Sequence, residues 1–206
     1  MPAIRNEELT RSRVEAALQA PGDRLVFESC TLNEVDLSQL DLSDCSWVRC
    51  RAARANFGGA NLTSAEFSEC DLNNSRWRRA KISSASFRGC KLTGADFRET
   101  ASLVPPTFEE TLLVAANLQG LSFRKMLLRR VDLSDADLAG CDFRDAVLIG
   151  ASLRNARIAQ ARFDGADLRE ADLSGLKLVD LRVLRGATIS VRHAVDLIAE
   201  LGVHVA

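Results

Sequence analysis

The chain has no tyrosine, only two tryptophans and only two histidines in 206 residues. Without Tyr, the nine Phe and two Trp form a nearly hydroxyl-free aromatic set suited to an interior. Both histidines, His193 and His204, lie near the C-terminus. No imidazole is therefore near the cysteines, which argues against a zinc site, and no constellation of nucleophile, base and anion-binding loop is present. Charge of one sign is missing too: 27 basic and 28 acidic residues leave a net charge of −1, so bulk attraction to nucleic acid or a membrane surface is not expected. The N-terminal MPAIRNEELTRSRVEAALQAPGD has no apolar run of signal-peptide type, and no segment approaches the length of a membrane span. The expected location is the cytoplasm.

Over most of the chain helical and strand periodicity are absent as well, and a period of five replaces them. Apolar residues recur at Phe27, Leu32, Leu37, Leu42, Trp47, Ala52, Phe57 and on to Phe97. After one extra residue the series resumes at Leu103 and Phe108 and continues to Val183. Two residues before most of these centres stands a small residue, such as Cys30, Cys45, Cys50, Ala55, Ala60, Ala136 or Cys141. Five matches neither 3.6 nor 2.0 residues per repeat. A fixed period over most of a chain is the mark of a repeat architecture.

Every aromatic falls on a centre, and the spacing is twenty within three series: Phe27, Trp47, Phe67 and Phe87, then Phe108 after the extra residue; Phe57, Trp77 and Phe97; Phe123, Phe143 and Phe163. A chain returning to the same lateral position every twenty residues stacks each series in a column. Four fives per turn make a square coil, and successive coils stack at the strand spacing of about 4.8 Å. About eight coils then give a rod roughly 40 Å long. One large and one small residue per side fill the narrow interior without overpacking it.

ANLTS (60–64), ADFRE (95–99), ADLAG (136–140), ASLRN (151–155), ADLRE (166–170) and ADLSG (171–175) follow the A(D/N)LXX consensus, and the chain resembles the pentapeptide-repeat family from about residue 25 to 189. The resemblance implies an all-β solenoid, a right-handed quadrilateral β-helix, with short N-terminal and C-terminal helices. The expected division is a helical segment over 1–24, the β-helix over 25–189 with an interruption at 98–107, and a capping and dimerisation segment over 190–206.

The ends and the interruption follow from local chemistry. Asn6 before EELTRSRVEAALQA reads as the cap of a helix with acids in its first turn, ended by Pro21-Gly22. Ser190 reads as the N-cap of a second helix running to about Leu201, with Gly202 as the stop. Its stripe Val191, Ala194, Val195, Ile198 and Leu201 suits the cover that an open solenoid end needs. Further apolar residues, Leu197 and Val203 to Val205, suggest a second copy. The expected dimer interface is Val191, Ala194, Val195, Ile198, Leu201, Val203 and Val205. Pro105 and Pro106 remove two backbone donors, so the ladder is expected to bulge there, either as a tolerated kink or as a recognition loop.

RGATIS followed by AVDLIAELGVHV is similar to the C-terminal ends of quinolone-resistance pentapeptide-repeat proteins of Qnr and MfpA type. That similarity implies an end-to-end homodimer. It also implies binding to DNA gyrase or topoisomerase IV, protection of the enzyme from drugs that trap cleaved DNA, and imitation of duplex DNA by rows of Asp and Glu. The present chain has no long insertion and is near neutral.

On the surface, no side of the square is a continuous acidic strip. The most DNA-like patch is Glu66, Glu69, Glu109 and Glu110, interrupted by Arg88. RWRRAK (76–81) places Arg76, Arg78 and Arg79 around an inward Trp77, as a solvated face or a contact for an acidic partner. Leu127, Val147 and Ile149 should point outward on one side, with Leu112 and Val114 on the next, under the N-terminal helix or a foreign partner. These patches and the Pro105-Pro106 bulge are the candidate binding residues. The six cysteines take small inward positions, and Cys30, Cys50, Cys70 and Cys90 form one column, expected as buried thiols. The expectation is a non-catalytic protein without metal or cofactor: a topoisomerase-protecting dimer, or a scaffold rod for another protein.

Overall fold

A computed structural model describes residues 3–19, 24–176 and 181–200. Nine short parallel strands lie side by side in sequence order, β1 to β9. They are Ala3–Arg5, Val26–Glu28, Ser46–Val48, Glu66–Ser68, Ser86–Arg88, Thr107–Glu109, Leu127–Arg129, Val147–Ser152 and Asp167–Asp172. From β2 onward each coil contributes one strand to the same side of the square. The registers Phe27↔Trp47, Trp47↔Phe67, Phe67↔Phe87 and Phe87↔Phe108 put each centre under the one before it. The other three sides are held by single parallel bridges such as Asp36↔Asn56 and Arg51↔Asp71. The result is a quadrilateral β-helix of about eight coils.

Five residues make a side because each corner turns at a fixed place. The second residue after a centre adopts a left-handed backbone, as at Glu34 (φ 64°), Gln39 (63°), Asp44 (57°) and Arg54 (58°). Backbone groups then bond to neighbouring coils: Leu37 N–H donates to Asn56 O at 2.7 Å, and Asn56 N–H to Val35 O at 3.0 Å. The consensus Asp or Asn braces this turn by accepting from the amide two residues on. Examples are Asp36 from Ser38 at 3.0 Å and Asp132 from Ser134 at 2.9 Å. Such local side-chain to backbone bonds are the usual role of Asx residues at turns.

The interior holds the large centres and the small residues beside them. The three aromatic columns form as the spacing of twenty requires. Phe27–Trp47, Phe57–Trp77 and Phe123–Phe143 stack with centroids 4.0, 4.2 and 4.7 Å apart. Edge-to-face pairs such as Phe67–Trp77, 5.4 Å at 84°, join the first two columns across the rod. Both geometries are favourable for aromatic rings.

The structure differs from the sequence reading at three places. The N-terminal helix, α1, covers only Arg11–Leu18, with Thr10 rather than Asn6 as its cap and no acid in its first turn. Asn6 instead makes a left-handed corner (φ 54°) after β1, and Ile4 and Leu9 are buried as centres. The period of five therefore reaches back through Leu9 to Ile4, and the opening residues extend the coil because they have a ladder to join. Second, α1 caps the first coil, burying Val14 and Ala17 while Arg11 donates to Asp36 O and Ser38 O. It does not cover Leu127 and Val147, five coils away.

The third difference is Leu103, counted as a centre but 97% exposed. The interruption loops outward, held by Leu103 N–H to Ser83 Oγ at 2.8 Å and Ser84 N–H to Val104 O at 2.9 Å. Pro106 is buried at the small inward place before Phe108, and Pro105 is half-buried. The exposed part of the interruption is therefore Ala101–Val104, with the proline pair set closer to the rod. At the far end, helix α2 (Val191–Glu200) starts from Ser190, whose Oγ accepts from His193 N–H at 3.1 Å.

Candidate partner-binding surface

Chemistry has little foothold inside the rod. All six cysteines are buried and free. In the column, Cys50, Cys70 and Cys90 donate to Phe27 O, Trp47 O and Phe67 O at 3.3, 3.3 and 3.5 Å. Thr111 continues the ladder, donating to Phe87 O at 3.1 Å. Burial pushes the Cys45 and Cys141 thiols up to about 12, far from the thiolate form that reacts or binds metal. Among the described residues no cluster of His, Cys, Asp and Glu could hold a metal ion, and no helix is long and apolar enough to cross a membrane.

The acidic patch is largely matched by arginines. Glu66 pairs with Arg24 at 2.6 Å and Glu109 with Arg88 at 2.9 Å, while Glu110 pairs with Arg130 one coil on. Glu69 is exposed and has no ion pair among the described residues. The same pattern recurs elsewhere: Arg49 meets Glu28, and Arg157 meets Asp137 at 3.6 Å. Stacking at strand spacing brings side chains twenty residues apart into reach, so each coil tends to neutralise its neighbour. Exposed pairs of this kind contribute little to stability, but they remove the uninterrupted negative row that imitation of a phosphate backbone requires.

Consensus aspartates form a second negative set, turned to structural use. Asp142 accepts from Arg144 Nε at 2.8 Å and from its amide at 3.1 Å, and Asp167 holds Arg169 in the same way. The guanidinium of Arg144 holds the Asp142 carboxyl below the usual range, and Arg169 lowers Asp167 to about 2. Asp36 is lowered by its bonds from Ser38.

The basic run is compensated by a residue the sequence did not single out. Glu99 accepts from both Arg78 and Arg79, whose guanidinium groups drive its carboxyl pKa down. Arg76 is exposed beside Arg54 and Asn74, without an ion pair among the described residues. Glu99 lies twenty residues after Arg79, so the repeat itself carried the signal.

Besides Leu103 and Val104 in the looped interruption, apolar residues stay uncovered in two places. Leu112, Leu127 and Val147 are exposed, and Ile149 and Val114 half-buried, as the outward assignment of the period requires. On α2, Val191, Val195 and Ile198 are exposed, Ala194 is half-buried and Leu197 is turned inward. Leu197 is thus the cap contact, while Val191, Val195 and Ile198 of the stripe assigned to capping are exposed. Leu201, Val203 and Val205 lie outside the described residues.

Comparison with known proteins agrees with this architecture. The model described as "Pentapeptide repeat region" matches residues 23–97, and "Pentapeptide repeats (8 copies)" matches 108–145 and 146–180. No curated protein sequence matches the chain significantly. Two trypsin-treated variants of QnrB1, a plasmid-mediated fluoroquinolone resistance protein, superpose with TM-scores of 0.77 and 0.72. Each is 25% identical, and the alignments cover 100% of this chain and 98% of QnrB1. Full-length QnrB1 aligns at 24% identity and a TM-score of 0.57, over 98% of this chain and 97% of that one. The gap between the two repeat models falls on the looped interruption, and the strands on either side belong to one continuous sheet. The chain belongs to the pentapeptide-repeat family and is Qnr-like within it.

Proposed function

We propose that the protein binds a type II DNA topoisomerase, DNA gyrase or topoisomerase IV, and protects it from a poison that traps the cleaved complex. The observation that carries this reading is the end-to-end correspondence with QnrB1, across the whole of one chain and nearly all of the other. Two rods join in the cytoplasm as a homodimer through α2, where Val191, Val195 and Ile198 supply exposed apolar contacts. The role is non-catalytic: binding alone changes how the enzyme meets DNA and drug. Supercoiling by purified gyrase, titrated with the protein in the presence and absence of a fluoroquinolone, tests it. Rescue of supercoiling from the drug is the expected result. No rescue against several drugs and both type II enzymes refutes it.

A second reading is a scaffold rod for a different protein. It draws on the arginine pairing of Glu66, Glu109 and Glu110, which leaves DNA imitation with little free negative charge. Under this reading the dimer persists and supercoiling is indifferent to the protein.

A further inference from the structure

The strand side opens where β6 meets β7. The ladders on either side of this junction keep three residue pairs each, Ser86↔Thr107 to Arg88↔Glu109 and Leu127↔Val147 to Arg129↔Ile149. Between β6 and β7 only Glu109↔Arg129 remains. Thr107 N–H donates to Ala85 O at 2.8 Å and Val147 N–H to Met126 O at 2.9 Å, but no corresponding bond joins Leu127 N–H to Pro106 O. The looped interruption with its two prolines enters here, and proline in a ladder removes a donor and disturbs pairing. A shallow depression of about 300 Å³ runs across β5 to β7 here, lined by Ser86 and Arg88, by Thr107 and Glu109, and by Leu127 and Arg129 among others.

At the edge of this depression Leu127 is 45% exposed, and beyond the lining Val147, its partner in the next strand, is 36% exposed. Lys125 and Arg129 flank Leu127 on either side in sequence, both exposed and neither in an ion pair among the described residues. The nearest acid along the ladder, Glu109, is already held by Arg88 at 2.9 Å. On a surface where most arginines are matched within a turn or one coil away, two unmatched cations beside an apolar strip at an opened ladder set this place apart.

We infer that this opened strand face docks a protein segment that presents an apolar side chain between carboxylates. The apolar side chain covers Leu127 and Val147, and the carboxylates meet Lys125 and Arg129. Complementary charge selects the partner and the buried apolar contact retains it. The inference does not depend on the topoisomerase reading, because its test contains no topoisomerase.

Fluorescence anisotropy with the full chain tests it, using two labelled hexapeptides: Glu-Asp-Leu-Phe-Asp-Glu and its basic counterpart Lys-Lys-Leu-Phe-Lys-Lys. The acidic peptide should bind about tenfold more tightly than the basic one, the scale of two partly exposed charge contacts. Leu127→Glu should weaken the acidic peptide about tenfold or more. Lys125→Glu combined with Arg129→Glu should reverse the preference between the peptides, an outcome that misfolding does not produce. Equal binding of both peptides, binding of neither, or no reversal overturns the inference. If Leu127→Glu instead turns dimer into monomer in sedimentation, the face belongs to a second copy. If a duplex oligonucleotide displaces the acidic peptide by binding the same cations, the site is one for nucleic acid. Either result also overturns it.

Discussion

At the scale of single residues, two tryptophans in equivalent places differ in one atom's fate. Trp77 donates its indole N–H to Ser75 Oγ at 2.7 Å, and Ser75 in turn donates to Leu72 O at 2.6 Å. Trp47 is equally buried, but its indole N–H has no partner. The residue two before Trp47 is Cys45, whose sulfur is a poor acceptor. A buried unsatisfied donor costs about 1–3 kcal/mol. Cys45→Ser should therefore stabilise the rod by about 1 kcal/mol, raising the melting temperature by roughly 2–4 °C for a chain of this size. Ser75→Ala should lower it by a similar amount, because it reproduces the defect at Trp77. Thermal melts of both variants check the pair. All eleven centres occupied by aromatics were legible, since the period dictates them, whereas the missing acceptor at Trp47 depends on atomic contact that no period records.

At the scale of the element, the unit is a five-residue side with its left-handed corner. Non-glycine residues there carry strain of about 1–2 kcal/mol, as at Ala115 (φ 52°). Glycine removes that strain at a cost of about 0.5–1 kcal/mol in chain entropy. Ala115→Gly should then gain about 0.5–1 kcal/mol in chemical denaturation. Gly94→Ala should lose stability for two reasons. Its φ is +69°, and an added Cβ would stand 2.3 Å from Asn74 Oδ1. The braced turn also predicts acid sensitivity. Asp36, Asp41, Asp96, Asp142, Asp167 and Asp172 are held below their ordinary value by turn amides, hydroxyls or arginines. A carboxylate depressed in the folded state adds stability that is complete above its unfolded value of about 3.9 and is lost as pH falls through the folded one. The melting temperature should be level from pH 7 to about 5 and fall between about pH 4 and 2. Asp142→Asn with Asp167→Asn should flatten part of that fall. These turns were visible as a consensus, but their load was not: the same Asp residues read equally well as a free acidic surface. The interruption shows the converse. Counting back five from Phe108 lands on Leu103, and only the outward loop that leaves Leu103 exposed reveals that the count fails there.

For the whole molecule, the period that made the fold legible is also what obscures the site. A repeat of twenty places every surface residue beside its counterpart in adjacent coils, so charge is settled between coils as well as within single turns. Glu66, Glu109 and Glu110 read as an acidic patch in sequence, whereas in space each is bonded to an arginine. This makes DNA imitation testable in an unusual direction. Removing the glutamates would weaken a mimic, but it would equally disturb a face that merely needs its ion pairs. Removing the arginines separates the two. Arg24→Ala, Arg88→Ala and Arg130→Ala together change the net charge from −1 to −4, one unit for each of the three arginines lost, and free three carboxylates on the strand side. If topoisomerase reads the rod as a duplex, the triple variant should inhibit supercoiling at a lower concentration than the parent, by about severalfold, and with a steeper dependence on salt. If the ion pairs only tie coils together, the variant should melt slightly lower and bind no better. Supercoiling assays at two ionic strengths, alongside a melt, distinguish these outcomes. A gain of inhibition without loss of fold would mean that the arginines hold back a mimic's charge.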